Sequence, residues 1–227
     1  MIKKVLVSIK ILIVGQLILM SDLQASKLDE ILDRVQLPIT RYDGYSSQRR
    51  IRFEEKDPQT LKNLQVKLIR RQISEFHSKD RESMPLSCKV DGQDQDLSAC
   101  KEQGDNKLIW PIFVKDTPHY RYRLVGETPD AWQIEVQPQQ NTKQHFQGLA
   151  YVSRDYRLKK MQGTLADLPF GVKRLQMDID FDTMQGYPVA VTGRYEVEVR
   201  FSFLLHKLFV SNFTASQVQL IPRDDAS

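Results

Sequence analysis

The stretch "RLQMDIDFDT", Arg174 to Thr183, alternates polar and apolar residues, and most of its polar residues are charged. Its apolar positions are Leu175, Met177, Ile179 and Phe181. Its aspartates are Asp178, Asp180 and Asp182. Successive side chains of a β-strand point to opposite faces of the sheet, and alternate side chains share a face. The stretch therefore predicts a strand with one dry face and one acidic, solvated face.

Three aspartates at alternate positions also resemble the opening of a calcium loop. Such a loop needs glycine at its sixth position and a bidentate glutamate at its twelfth. Counting from Asp178, these positions hold Thr183 and Val189, so the metal interpretation is not favoured. We expect no metal and no cofactor, and we expect basic residues on neighbouring strands to neutralise the aspartates. The candidates for this neutralisation are Lys159, Lys160, Arg194 and Arg200.

The same alternation recurs in the neighbouring segments "HYRYRLVGE", "AWQIEVQP", "QHFQGLAYVSRD" and "YPVAVTGRYEVEVRFSFLL". Period-two runs separated by short polar turns predict an antiparallel meander with one wet and one dry face. Nearer the N-terminus, "QRRIRFEE" and "LQVKLI" predict the two strands of a hairpin that turns at Asp57 and Pro58. A helix with the stripe Leu61, Leu64 and Leu68 also fits this region.

The chain begins "MIKKVLVSIKILIVGQLILMSDLQA", with two lysines, an apolar run and small residues in the order of a secretory signal peptide. An uncleaved membrane anchor is the alternative, although a span needs about 20 apolar residues. We predict cleavage after Ala25, a periplasmic location and a single domain over residues 26–227. Cleavage removes three lysines and one aspartate, which lowers the formal net charge from +4 to +2. Such a balanced charge does not predict a nucleic-acid partner.

Directly after the cleavage site, "SKLDEILDRVQL" carries an apolar stripe at helical spacing and predicts an amphipathic helix that ends before Pro38. The stripe consists of Leu28, Ile31, Leu32 and Val35. The chain has two cysteines, Cys88 and Cys100, and in an oxidising compartment these most simply form a disulfide. The polar residues between them predict a stapled surface loop.

No pattern of catalytic residues stands out. The histidines His77, His119, His145 and His206 lack metal-ligand spacing and are expected at the surface or rim, and there is no G-x-S-x-G elbow. A glycosidase pair such as Asp178 and Asp182 would have to flank a sugar in a cleft. We therefore expect no enzymatic activity. The basic pairs "RR" at residues 49–50 and 70–71 are interpreted as solvated strand faces.

The dry face carries large, soft side chains such as Trp132, Phe146 and Phe201. Two interpretations remain open, since this face can pack as an ordinary core or can leave an incompletely filled apolar pocket. From strand parity, we predict that the pocket is lined by Tyr122, Leu124, Trp132, Ile134, Met177, Ile179, Val197 and Val199.

The run from "YRYRLVGETPDAWQIEVQP" through "FQGLAYVSRDYRLKKMQG", "LPFGVKRLQMDIDFD" and "YPVAVTGRYEVEVRFSFLLHKLFVSNF" resembles the periplasmic outer-membrane lipoprotein-sorting proteins, the superfamily of the LolA and LolB carriers. The resemblance covers about Tyr120 to Leu220. It implies a mainly β (α+β) fold, in which a strongly curved antiparallel sheet forms an incomplete barrel. The N-terminal helix and up to two further helices would cover the concave face, which holds acyl chains.

The resemblance implies a non-enzymatic periplasmic carrier of a lipid or of the acyl chains of a lipoprotein, acting in outer-membrane lipoprotein sorting. Its expected partners are the lipid or acylated lipoprotein and a membrane or envelope protein, and the carrier is expected to be a monomer. Two alternatives stay open. One is a cell-envelope scaffold or interaction protein with a filled core, and the other is an envelope hydrolase.

Overall fold

The computed structural model describes residues 25–35, 41–76, 81–101, 111, 119–201 and 205–223. The predicted signal peptide, apart from Ala25, lies outside these described residues. Across the described ranges, no helix combines the length and the apolar character needed to cross a membrane.

The described chain consists of one α-helix, one short 3-10 helix and eleven strands. The α-helix, α1, spans residues 25–35, and the 3-10 helix spans Leu97–Cys100. The strands are β1 (Tyr42–Lys56), β2 (Asn63–Phe76), β3 (Glu82–Val90), β4 (Gln93–Asp94), β5 (Tyr120–Glu127), β6 (Ala131–Pro138), β7 (Phe146–Ser153), β8 (Leu158–Leu165), β9 (Val172–Met184), β10 (Tyr187–Phe201) and β11 (Leu205–Pro222).

All eleven strands belong to one antiparallel sheet in the order β4-β3-β2-β1-β11-β10-β9-β8-β7-β6-β5. The predicted meander occupies β5 to β11, and the sheet then continues because β11 pairs with β1, where Phe213 lies opposite Ile51. The sheet is open, with β4 and β5 at its edges. The prediction of a mainly β fold with an N-terminal helix is confirmed, and the described residues contain no second α-helix.

The ambiguous N-terminal region forms the predicted hairpin, and the helical alternative is wrong. Strands β1 and β2 pair along nearly their whole length. The carboxylate of Asp57 accepts hydrogen bonds from the backbone N–H groups of Gln59 at 2.9 Å and Thr60 at 2.7 Å. This arrangement is an Asx turn, in which the side chain of an Asp or Asn accepts hydrogen bonds from backbone N–H groups of the turn.

Strand β9 has the predicted parity, since Met177, Ile179 and Phe181 are buried while the aspartates lie on the other face. The Nζ of Lys160 lies 2.8 Å from Asp178 and 3.8 Å from Asp180, as predicted. Arg194 instead forms an ion pair with Glu196 on its own strand. Within the described parts of the chain, no group of three His, Cys, Asp or Glu residues could hold a metal ion.

The helix α1 closes one part of the dry face. Ile31 and Val35 are buried in the main apolar cluster. Polar contacts fix the helix above the turns that follow β5 and β7, because Lys27 forms an ion pair with Glu127 at 2.6 Å and Tyr156 donates a hydrogen bond to Glu30 at 2.9 Å. The helix therefore covers the dry face near the ends of β5 and β7.

The predicted disulfide is confirmed. Cys88 on β3 is bonded to Cys100 at the end of the 3-10 helix, with their Cα atoms 5.8 Å apart. Residues 91–99 between them are exposed, as expected for a stapled surface loop, while both cysteines are buried against Ile69. The bridge therefore anchors the β4 edge of the sheet to the dry face.

Candidate functional site

The predicted pocket residues fall into three groups. Trp132, Ile134, Met177 and Ile179 are fully buried in the apolar cluster that α1 covers. Tyr122 and Leu124 are partly buried and pack against the same cluster from the edge strand β5. Val197 and Val199 lie on β10 and remain partly exposed. The predicted set thus includes both a packed floor and a more open surface.

The open surface continues across neighbouring strands and is called the inner strip here. It comprises Ile51, Phe53, Leu175, Tyr195, Val197 and Phe209. Directly opposed residues of an antiparallel pair lie on the same face. Because Val197 lies opposite both Leu175 and Phe209, these three form one row across β9, β10 and β11. All six side chains are partly exposed, and the rings of Phe53 and Phe209 stack with centroids 5.5 Å apart.

At one end of the inner strip the same face becomes polar. Along β1, the side chains that follow Ile51 on this face are those of Arg49, Ser47 and Tyr45. Arg71 of β2 lies directly opposite Arg49. The exposed fraction is 5% for Arg49 and 4% for Arg71, so two arginine side chains are buried at directly opposed strand positions. We call Tyr45, Ser47, Arg49, Arg71 and Glu75 the arginine cluster.

Glu75 connects the cluster through short polar contacts. Its carboxylate lies 3.0 Å from Nη2 of Arg49 and accepts a hydrogen bond of 2.5 Å from the hydroxyl of Tyr45. The same Arg49 nitrogen donates to the Tyr45 hydroxyl at 3.0 Å. The other arginine, Arg71, donates to Oγ of Ser83 at 3.1 Å and to the carbonyl oxygen of Cys100. The cluster is therefore tied to the disulfide as well as to the sheet.

Electrostatics keep Glu75 ionised. Burial by itself raises the pKa of its carboxyl, but the charges of Arg49 and Arg81 and the Tyr45 hydrogen bond outweigh burial and leave the pKa below its ordinary value. Burial by itself lowers the pKa of Arg49, but Glu75, Tyr45 and Tyr195 together outweigh burial and raise it. Burial and the nearby Glu75 raise the pKa of the Tyr45 hydroxyl well above its ordinary value. The cluster thus holds a charged pair and a neutral tyrosine.

A split in the sheet explains the position of Tyr45. Strands β10 and β11 pair only from Thr192 to Phe201, so the first residues of β10 have no partner on that side. Gln217, whose φ is 51°, lies where the register between β1 and β11 shifts. The backbone N–H of Ala190 donates to the Tyr45 hydroxyl at 3.2 Å instead. The tyrosine therefore satisfies a backbone donor that the split leaves unpaired.

The sequence interpretation of the two basic pairs is half wrong. Arg50 and Arg70 are exposed as expected, but Arg49 and Arg71 are buried on the dry face. The parity of a strand contains the missing signal, because two adjacent residues point to opposite faces. In a sheet with one dry face, one arginine of each pair has to point inward.

One histidine also departs from expectation. The exposed fraction of His145 is 4%, and its Nδ1 lies 2.6 Å from Oγ1 of Thr142. Burial and the nearby His119 lower the pKa of the imidazole. The expectation of a surface or rim position is therefore wrong for His145. Its neutral ring is buried directly before the first residue of β7.

No protein-family model and no curated protein matches the chain. Among solved structures, a DUF1329 family protein from Desulfovibrio piger overlaps 87% of this chain and 92% of its own, with 12% identity and a TM-score of 0.46. A domain from Vibrio parahaemolyticus named as an outer membrane lipoprotein-sorting protein overlaps 86% of this chain and 93% of its own, with 13% identity and a TM-score of 0.44.

Proposed function

We propose that this protein is a non-enzymatic periplasmic carrier that holds a lipid, or the acyl chains of a lipoprotein, against the inner strip. Outer-membrane lipoprotein sorting is the proposed setting, in keeping with the sequence resemblance. The observation that carries the proposal is the strip itself, a continuous row of partly exposed apolar side chains on the face that α1 covers elsewhere. An acyl chain is the ligand class that such a surface accepts without specific polar contacts.

The size of the apolar contribution is adequate for a carrier. Each buried methylene contributes about 0.8 kcal/mol, so ten methylenes contribute about 8 kcal/mol before the costs of association. The stacked rings of Phe53 and Phe209 and the branched side chain of Val197 provide flat and convex surfaces for such contacts. Trp132, Ile134, Met177 and Ile179 then form the packed floor beside the ligand, and Val197 and Val199 contact it directly.

The proposal is tested on the mature protein, residues 26–227, purified without detergent from a periplasmic fraction. Native mass spectrometry with lipid extraction should reveal a stoichiometric lipid or acylated peptide, and the emptied protein should take up a fluorescent fatty acid. Val197→Asp introduces a carboxylate into the inner strip and should lower the affinity for that fatty acid at least about tenfold.

Thr214→Asp is the matched control. Thr214 is exposed on β11 and lies next to Phe213, so its side chain points to the opposite face. We expect this variant to bind the fatty acid like the wild type. A protein that carries no lipid and takes up no fatty acid would contradict the proposal, and a filled-core envelope scaffold would then be favoured.

A further inference from the structure

We propose that the arginine cluster binds the anionic head group, a phosphate or a carboxylate, of the amphiphile whose chains lie on the inner strip. This inference rests on the proposed function and specifies its ligand as an acidic lipid. Arg49 and Ser47 are the residues that would contact the head group directly.

The cluster lies where a head group would follow an acyl chain. Phe53, Ile51, Arg49 and Ser47 succeed one another on one face of β1, at intervals of about 6.7 Å. The guanidinium of Arg49 lies 4.4 Å from the ring centroid of Phe213, which itself lies opposite Ile51. The apolar strip therefore runs without a break into the buried guanidinium group.

Two buried polar groups of the cluster have no hydrogen-bond partner. Nη2 of Arg49 contacts Tyr45 and Glu75, whereas Nε of the same guanidinium has none. The hydroxyl of Ser47 is fully buried and likewise has no partner. An unsatisfied buried donor destabilises the folded protein. Both groups can donate, so an anionic oxygen is the ligand atom that would satisfy them.

The spacing and the charge of the cluster suit an anion. Side chains two residues apart on a strand are separated by about 6.7 Å. Because Ser47 and Arg49 lie on the same face of β1, one phosphate or carboxylate between them would offer a different oxygen to each. Arg71 places a second cationic residue at the strand position directly opposite Arg49. Like charges at opposed positions destabilise a sheet, and an anion beside them would offset this repulsion.

The comparison of Ser47 with Ser46 separates ligand binding from a structural role. Ser47 lies in the cluster, whereas Ser46 lies on the opposite face, where its Oγ accepts a hydrogen bond of 2.7 Å from Gln72. Ser47→Ala removes a buried hydroxyl that has no partner, so the unliganded protein should be no less stable. A purely structural cluster therefore predicts no change in binding for this variant.

The experiment measures binding of three probes by calorimetry to the delipidated mature protein: dodecyl phosphate, 1-dodecanol and inorganic phosphate. We expect dodecyl phosphate to bind at least about tenfold more tightly than dodecanol. Ser47→Ala should reduce this preference about fivefold through a loss of dodecyl phosphate affinity alone. Ser46→Ala should leave the preference unchanged. Arg49→Lys keeps the charge but removes Nε, and it should also reduce the preference.

The outcomes separate the two proposals. Equal affinity for dodecyl phosphate and dodecanol would overturn the head-group site and leave the lipid carrier standing. Binding of neither compound would overturn both. Binding of inorganic phosphate as tight as that of dodecyl phosphate would overturn the lipid head group in favour of a free anion. If Arg49→Lys fails to fold, Ser47→Ala still decides the question.

Discussion

The two halves of the dry face are stabilised by different physical effects. Beneath α1, side chains such as Ile134, Phe146 and Met161 are fully buried and purely apolar. On β1 and β2 the same face buries Arg49, Arg71 and a tyrosine next to a partly buried glutamate. The first half gains stability from the removal of apolar surface from water. The second half depends on paired charges. Loss of one partner leaves the other charge buried without compensation and destabilises the fold.

This difference assigns different tasks to the two halves. A close-packed apolar core tolerates little change in volume and suits a fixed scaffold. The inner strip and the arginine cluster combine partly exposed apolar side chains with buried donors, which is the combination that an amphiphile requires. The half under α1 therefore holds the sheet in shape, and the half on β1, β10 and β11 is the one expected to bind.

The largest expected effect tests the packed half. Phe146 is fully buried, and an added Cβ at Gly163 would lie 2.6 Å from its ring, so the ring packs directly on that glycine. Phe146→Ala should lower the free energy of unfolding by about 4 kcal/mol, measured by urea denaturation. Phe209→Ala on the inner strip removes an identical ring that is partly exposed, and it should cost clearly less. Equal losses would show that the strip is as closed as the core.

The next effect tests the charged half. Glu75→Gln leaves Arg49 buried without its ion pair and should lower the free energy of unfolding by about 3 kcal/mol, again in urea. The control is Glu135→Gln, which breaks an exposed pair with Arg123 and should cost less than about 1 kcal/mol. If the two variants lose the same stability, the arginine cluster does not behave as a buried network.

Acidification should remove the advantage of Glu75. The pKa of its carboxyl lies below the ordinary value of 4.5 in the folded protein, so its contribution to stability is fully present above about pH 4.5 and is lost as the pH falls through the folded pKa. The difference in unfolding free energy between wild type and Glu75→Gln should therefore shrink as the pH is lowered from 5 through the folded pKa. A constant difference across this range would contradict the assigned ionised state.

The smallest effect concerns the outer face of β9. The side chains of Asp178 and Lys160 are 32% and 34% exposed, and they pair at 2.8 Å. Asp178→Asn should cost less than about 1 kcal/mol at neutral pH, and added salt should reduce the cost further. The exposed Asp182, replaced in the same way, should have no measurable effect. If Asp178→Asn lowered the free energy of unfolding by more than about 2 kcal/mol, the aspartate would not behave as a surface residue and the prediction would be wrong.

Period-two alternation was sufficient to predict β9 and its neighbours, because the side-chain direction in a strand depends only on position along the chain. It placed Met177 and Ile179 inward and the aspartates outward, as the structure does. It also placed Val197 and Val199 on the inner face, but it could not distinguish them from the residues that α1 buries. That distinction depends on which strands the helix packs against, and only the tertiary structure determines this packing.

The arginine cluster shows the limit of local pattern most clearly. By itself, the sequence predicted a mainly β chain with an N-terminal helix and a disulfide, and it left a strand hairpin at Asp57 as one of two alternatives. Only the tertiary structure decided that β11 pairs with β1. It also decided that Arg49 and Arg71 occupy directly opposed positions on the dry face. The physical reason is that alternation sets the face of each residue locally, whereas pairing and burial join residues from opposite ends of the chain.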